Sequence, residues 1–150
     1  MTDAVQSLRD ARSVLVIDWP SRDVPESLAR AGYQVIVKGG PGPNAYRVQE
    51  LRGGELAAGE PGGAPEHVDI VYAHRPEPEL AGIIAGAKQL GAGTLWWQSG
   101  RADADTDDPK GCWVSEAQSE RMRALAESEG LHYIDDVYIG DAARMVGSTQ

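Results

Sequence analysis

The stretch VDIVYAHRPEPELAGIIAGAKQLGAGTLWWQSGR, residues 68–101, decides the fold. Residues 68–73 form a short apolar run rich in β-branched and aromatic side chains, the mark of a strand covered on both faces. A brief loop carrying Arg75 follows. Residues 79–90 then read as a helix closed by Gly91, and residues 94–98 as a second strand ending in the polar turn Gln98-Ser99-Gly100. Strand, helix and strand joined this tightly imply a crossover unit of a parallel sheet. Arg75 and the polar turn then lie beyond the carboxyl ends of two adjacent strands, the edge at which open α/β sheets collect their ligands.

The same rhythm extends outward in both directions. Residues 5–12 are a short polar segment, read as a helical lead-in (residues 1–12), and SVLVID at 13–18 is a buried strand. At Asp23 the string D-V-P-E offers an N-cap, a first-turn proline and Glu26 at the reciprocal capping position, and Gly32 ends the helix. YQVIVK at 33–38 is the next strand. Residues 39–63 are rich in glycine and proline with few apolar anchors, and read as a loop with a short strand or helix near 46–51. Residues 100–113 are a long acidic loop. Ser115 opens a helix, with Gln118 at the reciprocal position, running to Gly130. Residues 131–134 are a last short strand and 141–146 a final helical turn, which Asp135 and Asp136 are placed to cap. Strands alternating with helices give one α/β domain over residues 1–150, a three-layer, doubly wound, mostly parallel sheet.

Composition narrows the functional classes. Fourteen basic against 23 acidic residues give a net charge of -9, and no basic stripe interrupts it. Such a surface repels nucleic acid and anionic lipid, while leaving room for an anionic small molecule held by a few placed donors. The lone cysteine, Cys112, excludes an internal disulfide and a CxxC metal site and fits a reducing compartment. No apolar stretch reaches the ~18 residues of a membrane span, and the amino terminus lacks the apolar core of a signal peptide, so the expected location is the cytoplasm. Asp103, Asp105, Asp107 and Asp108 imitate a calcium loop, but Asp108 and Val114 stand where its glycine and bidentate glutamate belong. A solvated acidic loop with no metal is the expectation.

Three strings, taken in order, carry a resemblance. VDIVYAHRPEPE, GAGTLWWQSGR and GLHYIDDVYIGDAARMV resemble segments of the small bacterial CoA-binding domain family, stand-alone Rossmann-like proteins similar to the amino-terminal domain of the succinyl-CoA synthetase α chain. The resemblance spans roughly residues 14–146 and implies CoA or an acyl-CoA as ligand. It also implies a glycine-rich turn after the first strand and a proline-asparagine-proline type turn after the second. This chain departs at the first, where Asp18-Trp19-Pro20-Ser21-Arg22 contains no glycine to let a phosphate approach the backbone. At the second, Lys38-Gly39-Gly40-Pro41 keeps a permissive backbone and adds a cation. The 100–113 loop is longer than the family's usual connection.

The candidate ligand residues follow from these turns. Lys38, Gly39 and Gly40 are placed to hold a phosphate or the adenosine end of CoA, or else form an ordinary solvated turn. Arg75 is placed to pair with phosphate in bidentate fashion, or with Glu77 or Glu79. Gln98, Ser99 and Gly100 are placed to hydrogen-bond pantetheine amides or phosphates, or simply to end the strand. Trp19 either stacks on adenine or fills the ligand's space, and Ser21 in the same turn is a further candidate for binding the ligand. Trp96 and Trp97 alternate across the sheet, so at least one packs the core. His74 lies at the same edge and reads first as a satisfied structural histidine, since no motif sets a nucleophile or carboxylate beside it. The resulting expectation is binding of CoA or acyl-CoA without catalysis. The alternative is a degenerate member serving as a protein-interaction or regulatory module, and a homodimer or other protein partner stays open.

Overall fold

The computed structural model describes residues 2–148. Met1 of the lead-in and the last two residues of the expected 1–150 domain lie outside them. Seven strands form one sheet in the order β4-β3-β2-β1-β5-β6-β7. They are β1 (Ser13–Ile17), β2 (Gln34–Lys38), β3 (Tyr46–Arg52), β4 (Glu55–Ala58), β5 (Ile70–Ala73), β6 (Thr94–Trp97) and β7 (His132–Ile134). The helices are α1 (Thr2–Arg9), α2 (Asp23–Arg30), α3 (Leu80–Gln89), α4 (Glu116–Ser128) and α5 (Ile139–Ser148).

The five strands β2, β1, β5, β6 and β7 run parallel, with β1 at their turning point: it pairs with β2 on one side and β5 on the other. Their continuous apolar runs are explained by cover on both faces. Val14, Val16, Ile70, Tyr72 and Trp96 point to a layer containing α1, α2 and α5, whereas Leu15, Val71, Ala73, Leu95 and Trp97 point to one containing α3 and α4. The expected three-layer, mostly parallel α/β architecture is the observed one. Both tryptophans are core, at 0% and 2% exposure, one in each layer. Burying a ring of this size stabilises the fold by on the order of 4 kcal/mol. The Trp96 indole also donates to the Val137 carbonyl at 2.8 Å.

Three expectations need correction. The 39–63 segment is not mainly loop: β3 and β4 form an antiparallel hairpin that extends the sheet beyond β2. Its two-residue turn, Gly53-Gly54, has φ of +60° and +85°, the left-handed pair that matches the twist of a tight hairpin. The hairpin is half-exposed, so its apolar alternation is faint in the sequence. Second, Asp23 does not cap α2; Arg22 stands at the N-cap with no side-chain bond. The Asp23 carboxylate instead accepts from the Tyr138 hydroxyl and from Arg144 at 3.0 Å, joining α2 to α5. Third, the carboxyl-terminal turn is a ten-residue helix, α5, and Asp135 does not cap it. Asp135 is buried beside α4, accepting from the Ser119 hydroxyl at 2.6 Å.

The polar amino-terminal lead-in is a helix whose Ala4, Val5 and Leu8 are buried in the layer shared with α5. At the other end of the sheet the Ser115 cap forms as expected, its hydroxyl accepting the Gln118 backbone N–H at 3.1 Å. Among the described residues no helix is long and apolar enough to cross a membrane, and no cluster of three metal-ligating side chains occurs.

Candidate functional site

Between β1 and β5 the order of the parallel strands reverses. The segment leaving β1 turns toward β2 while the segment leaving β5 turns toward β6, so their departure opens a crevice at the carboxyl edge of the sheet. The crevice has a volume of about 840 Å³. Asp18 and Trp19 after β1, Lys38 to Pro41 after β2, and Arg75 after β5 form its rim. Its floor is α3, through Gly82, Ile83 and Gly86. A Cβ built on either glycine meets nothing within 4 Å, so the two bare positions on one helix face leave room that side chains would occupy. Sequence reasoning placed the rim and missed this floor; the four-residue spacing of Gly82 and Gly86 was its signal.

Five of the ten candidate residues line this space: Trp19, Lys38, Gly39, Gly40 and Arg75. Lys38 lies with its ammonium 5.6 Å from the centre of the Tyr46 ring, a contact with the hairpin, and has no ion pair among the described residues. Gly39 donates its N–H to the Ala45 carbonyl at 2.9 Å. Gly40 has open space around its Cα. Trp19 is half-buried and packs against the α1, α2 and α5 layer. It also borders a smaller groove, about 340 Å³, formed with Arg22, Pro25 and the β3–β4 hairpin. The indole therefore divides two concave surfaces.

Arg75 is committed to two carboxylates. Its NH1 donates to Asp18 Oδ2 at 3.0 Å, and its Nε and NH2 both donate to Glu79. The bonds from Glu79 and then from Asp18 hold the guanidinium firmly protonated, and Arg75 in turn pulls the Glu79 carboxyl below its ordinary range. Of the two sequence alternatives for its partner, Glu79 is the one realised; Glu77 pairs with Arg121 at 3.0 Å. Asp18 adopts φ of +56°, and its Oδ1 accepts the Trp19 N–H at 2.9 Å. The ionisable groups of the crevice rim, Asp18, Glu79, Lys38 and Arg75, sum to no net charge.

The other five candidates sit apart from the crevice. Ser21 lies in the turn leading to α2, accepting the Val24 N–H through its carbonyl at 3.3 Å. Gln98 is 1% exposed and faces inward. Its carbonyl accepts from the Tyr72 hydroxyl, and its amide donates to the carbonyls of Pro109 at 2.8 Å and Gly111 at 3.1 Å. One buried side chain thus ties β5, β6 and the acidic loop together. The Ser99 hydroxyl accepts the Arg101 N–H at 3.2 Å. Gly100 has φ of +73°, and a Cβ there would stand 2.5 Å from the His74 ring. The His74 ring nitrogen Nδ1 lies 3.0 Å from the backbone carbonyl oxygen of Gln98, so the histidine packs under this turn as a structural group. In the acidic loop, Cys112 is half-buried, and burial, followed by the charges of Asp136 and Asp135, pushes its thiol up to about 12.

A doubly wound parallel sheet with an open crevice at its switch point defines a Rossmann-like ligand-binding domain. The chain belongs to the CoA binding domain family, which it matches over residues 16–140. Among solved structures it is similar to a Thermus thermophilus protein designated cell-free ID.343, at 21% identity and a TM-score of 0.58, with 97% of each chain covered. It is also similar to Prb, a protein redesigned for binding, at 14% identity and a TM-score of 0.59, covering 97% of this chain and 90% of that one. A Methanothermobacter thermautotrophicus protein of unknown function aligns at 13% identity and a TM-score of 0.51, covering 91% and 86%. These likenesses speak to the fold. No curated protein matches the chain.

Proposed function

We propose that the protein binds CoA or an acyl-CoA in the switch-point crevice and performs no chemistry of its own. The observation that carries this reading is the crevice itself, with a lysine that has no carboxylate partner among the described residues at the end of β2, in a chain of the CoA binding domain family. Lys38 with the Gly39-Gly40 turn suits the phosphates of the adenosine end, because a compact ammonium and a backbone clear of side chains admit close approach. The apolar strip from Ile83 along Gly82 and Gly86 suits the slender pantetheine arm. Trp19 offers a face for stacking or for the acyl group.

The absence of catalysis is proposed on the state of the reactive groups. His74 is spent under the Gly100 turn, and the Cys112 thiol stays protonated at neutral pH. A second reading, a protein-interaction or regulatory module that binds no nucleotide, draws on Asp18 and its hold on Arg75. The two readings separate on what accompanies the folded protein through purification. Denaturing release followed by mass spectrometry is expected to yield CoA or an acyl-CoA, at a lower occupancy in Lys38→Ala. Folded protein that carries none, and takes none up when CoA is added, supports the second reading.

A further inference from the structure

Asp18 is the one non-glycine residue with positive φ among the described residues. A left-handed backbone is disfavoured for a residue with a Cβ, and aspartate tolerates it by bonding its own neighbouring backbone. Here that bond runs from the Trp19 N–H to Oδ1 at 2.9 Å, while Oδ2 takes the Arg75 guanidinium at 3.0 Å. A backbone N–H at the turn after β1 and a guanidinium beyond β5 are the donors that a phosphoryl oxygen at a switch point would use. In this chain an internal carboxylate already uses both. The carboxylate is 48% exposed, so it sits on the rim rather than locked in the core.

We propose that Asp18 is the specificity-determining residue of the crevice: its carboxylate fills the anion seat at the β1 turn and thereby steers a ligand's phosphates to Lys38. The proposal rests on the reading of the crevice as a CoA site. Glu79 strengthens the effect, because it takes the Nε–H and an N–H of NH2 and sets a second carboxylate against Arg75 that repels a phosphate. Lys38, across the crevice, meets no such competitor among the described residues. The β1 turn is left to a neutral part of the ligand, which carries no charge for the carboxylate to repel.

Two variants separate charge from backbone shape. Asp18→Asn keeps an oxygen for the Trp19 N–H and removes the charge. Asp18→Gly suits a φ of +56° at least as well as aspartate does and empties the seat. Each is titrated calorimetrically, after its fold is verified by circular dichroism, with CoA, inorganic pyrophosphate and pantetheine. Both variants should bind CoA and pyrophosphate roughly five- to tenfold more tightly than the original protein, the size expected for relief of one charge repulsion at a half-exposed site, with pantetheine unchanged. Equal CoA affinity in all three proteins overturns the role of Asp18 and leaves the CoA reading standing. Tightening of the same size for pantetheine also overturns it, since a loosened turn and not a charge would be responsible. If none of the three binds CoA, the reading of the crevice falls. Pyrophosphate bound more tightly by the variants would then still support the seat at Asp18, and pyrophosphate bound no better by them would overturn it as well.

Discussion

Replacing Gln98 by methionine keeps the length and volume of the side chain but removes three hydrogen bonds from the interior. The residue is 1% exposed, and its partners are the Tyr72 hydroxyl and the carbonyls of Pro109 and Gly111. The Gly111 carbonyl keeps a second donor, the Gly100 N–H at 3.0 Å, and Pro109 is exposed enough to turn to water. The Tyr72 hydroxyl, on a fully buried ring, has no such recourse. Counting about 1 kcal/mol for the bonds lost and about 2 kcal/mol for the stranded hydroxyl gives a loss of roughly 3 kcal/mol. For a chain of this size that is a fall in Tm of roughly 6–12 °C. Guanidinium unfolding at pH 7, followed by the fluorescence of the buried Trp96 and Trp97, measures it. A double variant with Tyr72→Phe should cost less than the sum of the single changes by about 2 kcal/mol, because the hydroxyl left stranded is then absent. A loss below about 0.5 kcal/mol for Gln98→Met would refute the structural role assigned to this side chain.

Two further predictions concern ionisation. At Asp23, burial opposes the charged form, but hydrogen bonds from Tyr138 and Arg144 and the Arg144 charge outweigh it and hold the carboxyl below its ordinary value of 3.8. A depressed pKa means that the native state binds its proton later than the unfolded chain, so the stabilisation is present above pH 3.8 and fades as pH falls through the native value. Asp23→Asn should therefore cost about 1 kcal/mol at pH 7, with the deficit shrinking in acid; a deficit that is flat from pH 7 to 2 counts against the ion pair. Cys112 is the opposite case, its thiol raised to about 12, so the native state retains a proton that the unfolded chain releases near 9. Stability should fall as pH rises above 9 and should fall less in Cys112→Ala. The thiol of the folded protein should react with iodoacetamide at pH 8 at least roughly tenfold more slowly than in urea, and equal rates would contradict its burial.

The fold was legible wherever burial on two faces forced a continuous apolar run. The strands from Ser13, Gln34, Ile70 and Thr94 start within one or two residues of their expected positions for that reason. The hairpin escaped because an edge element with half-exposed faces needs few apolar residues, and Tyr46, Val48 and Leu51 are thin evidence beside so many glycines. Gly53-Gly54 between two short polar strands was the readable trace. Asp23 carried every local sign of a cap, yet Tyr138 and Arg144, more than a hundred residues later in the chain, compete successfully for its carboxylate. Tertiary partners of this kind leave no mark on spacing. At the site, strand ends predicted Lys38 and Arg75 because topology alone brings them to one edge. Gln98 shares that edge but turns inward to Tyr72, which strand alternation does not reveal for the first residue past a strand. The floor of the crevice was missed for a different reason: Gly82 and Gly86 contribute by having no side chain, so no chemistry advertises them.

The central claim is that the crevice takes CoA through the cation at the end of β2. Its most direct test is calorimetric titration of folded, ligand-free protein with CoA, repeated on Lys38→Ala. Binding should be saturable and weakened by roughly tenfold when the ammonium is removed. Folded protein that releases no binding heat and retains no CoA on equilibrium dialysis, or an affinity unchanged in Lys38→Ala, would contradict it.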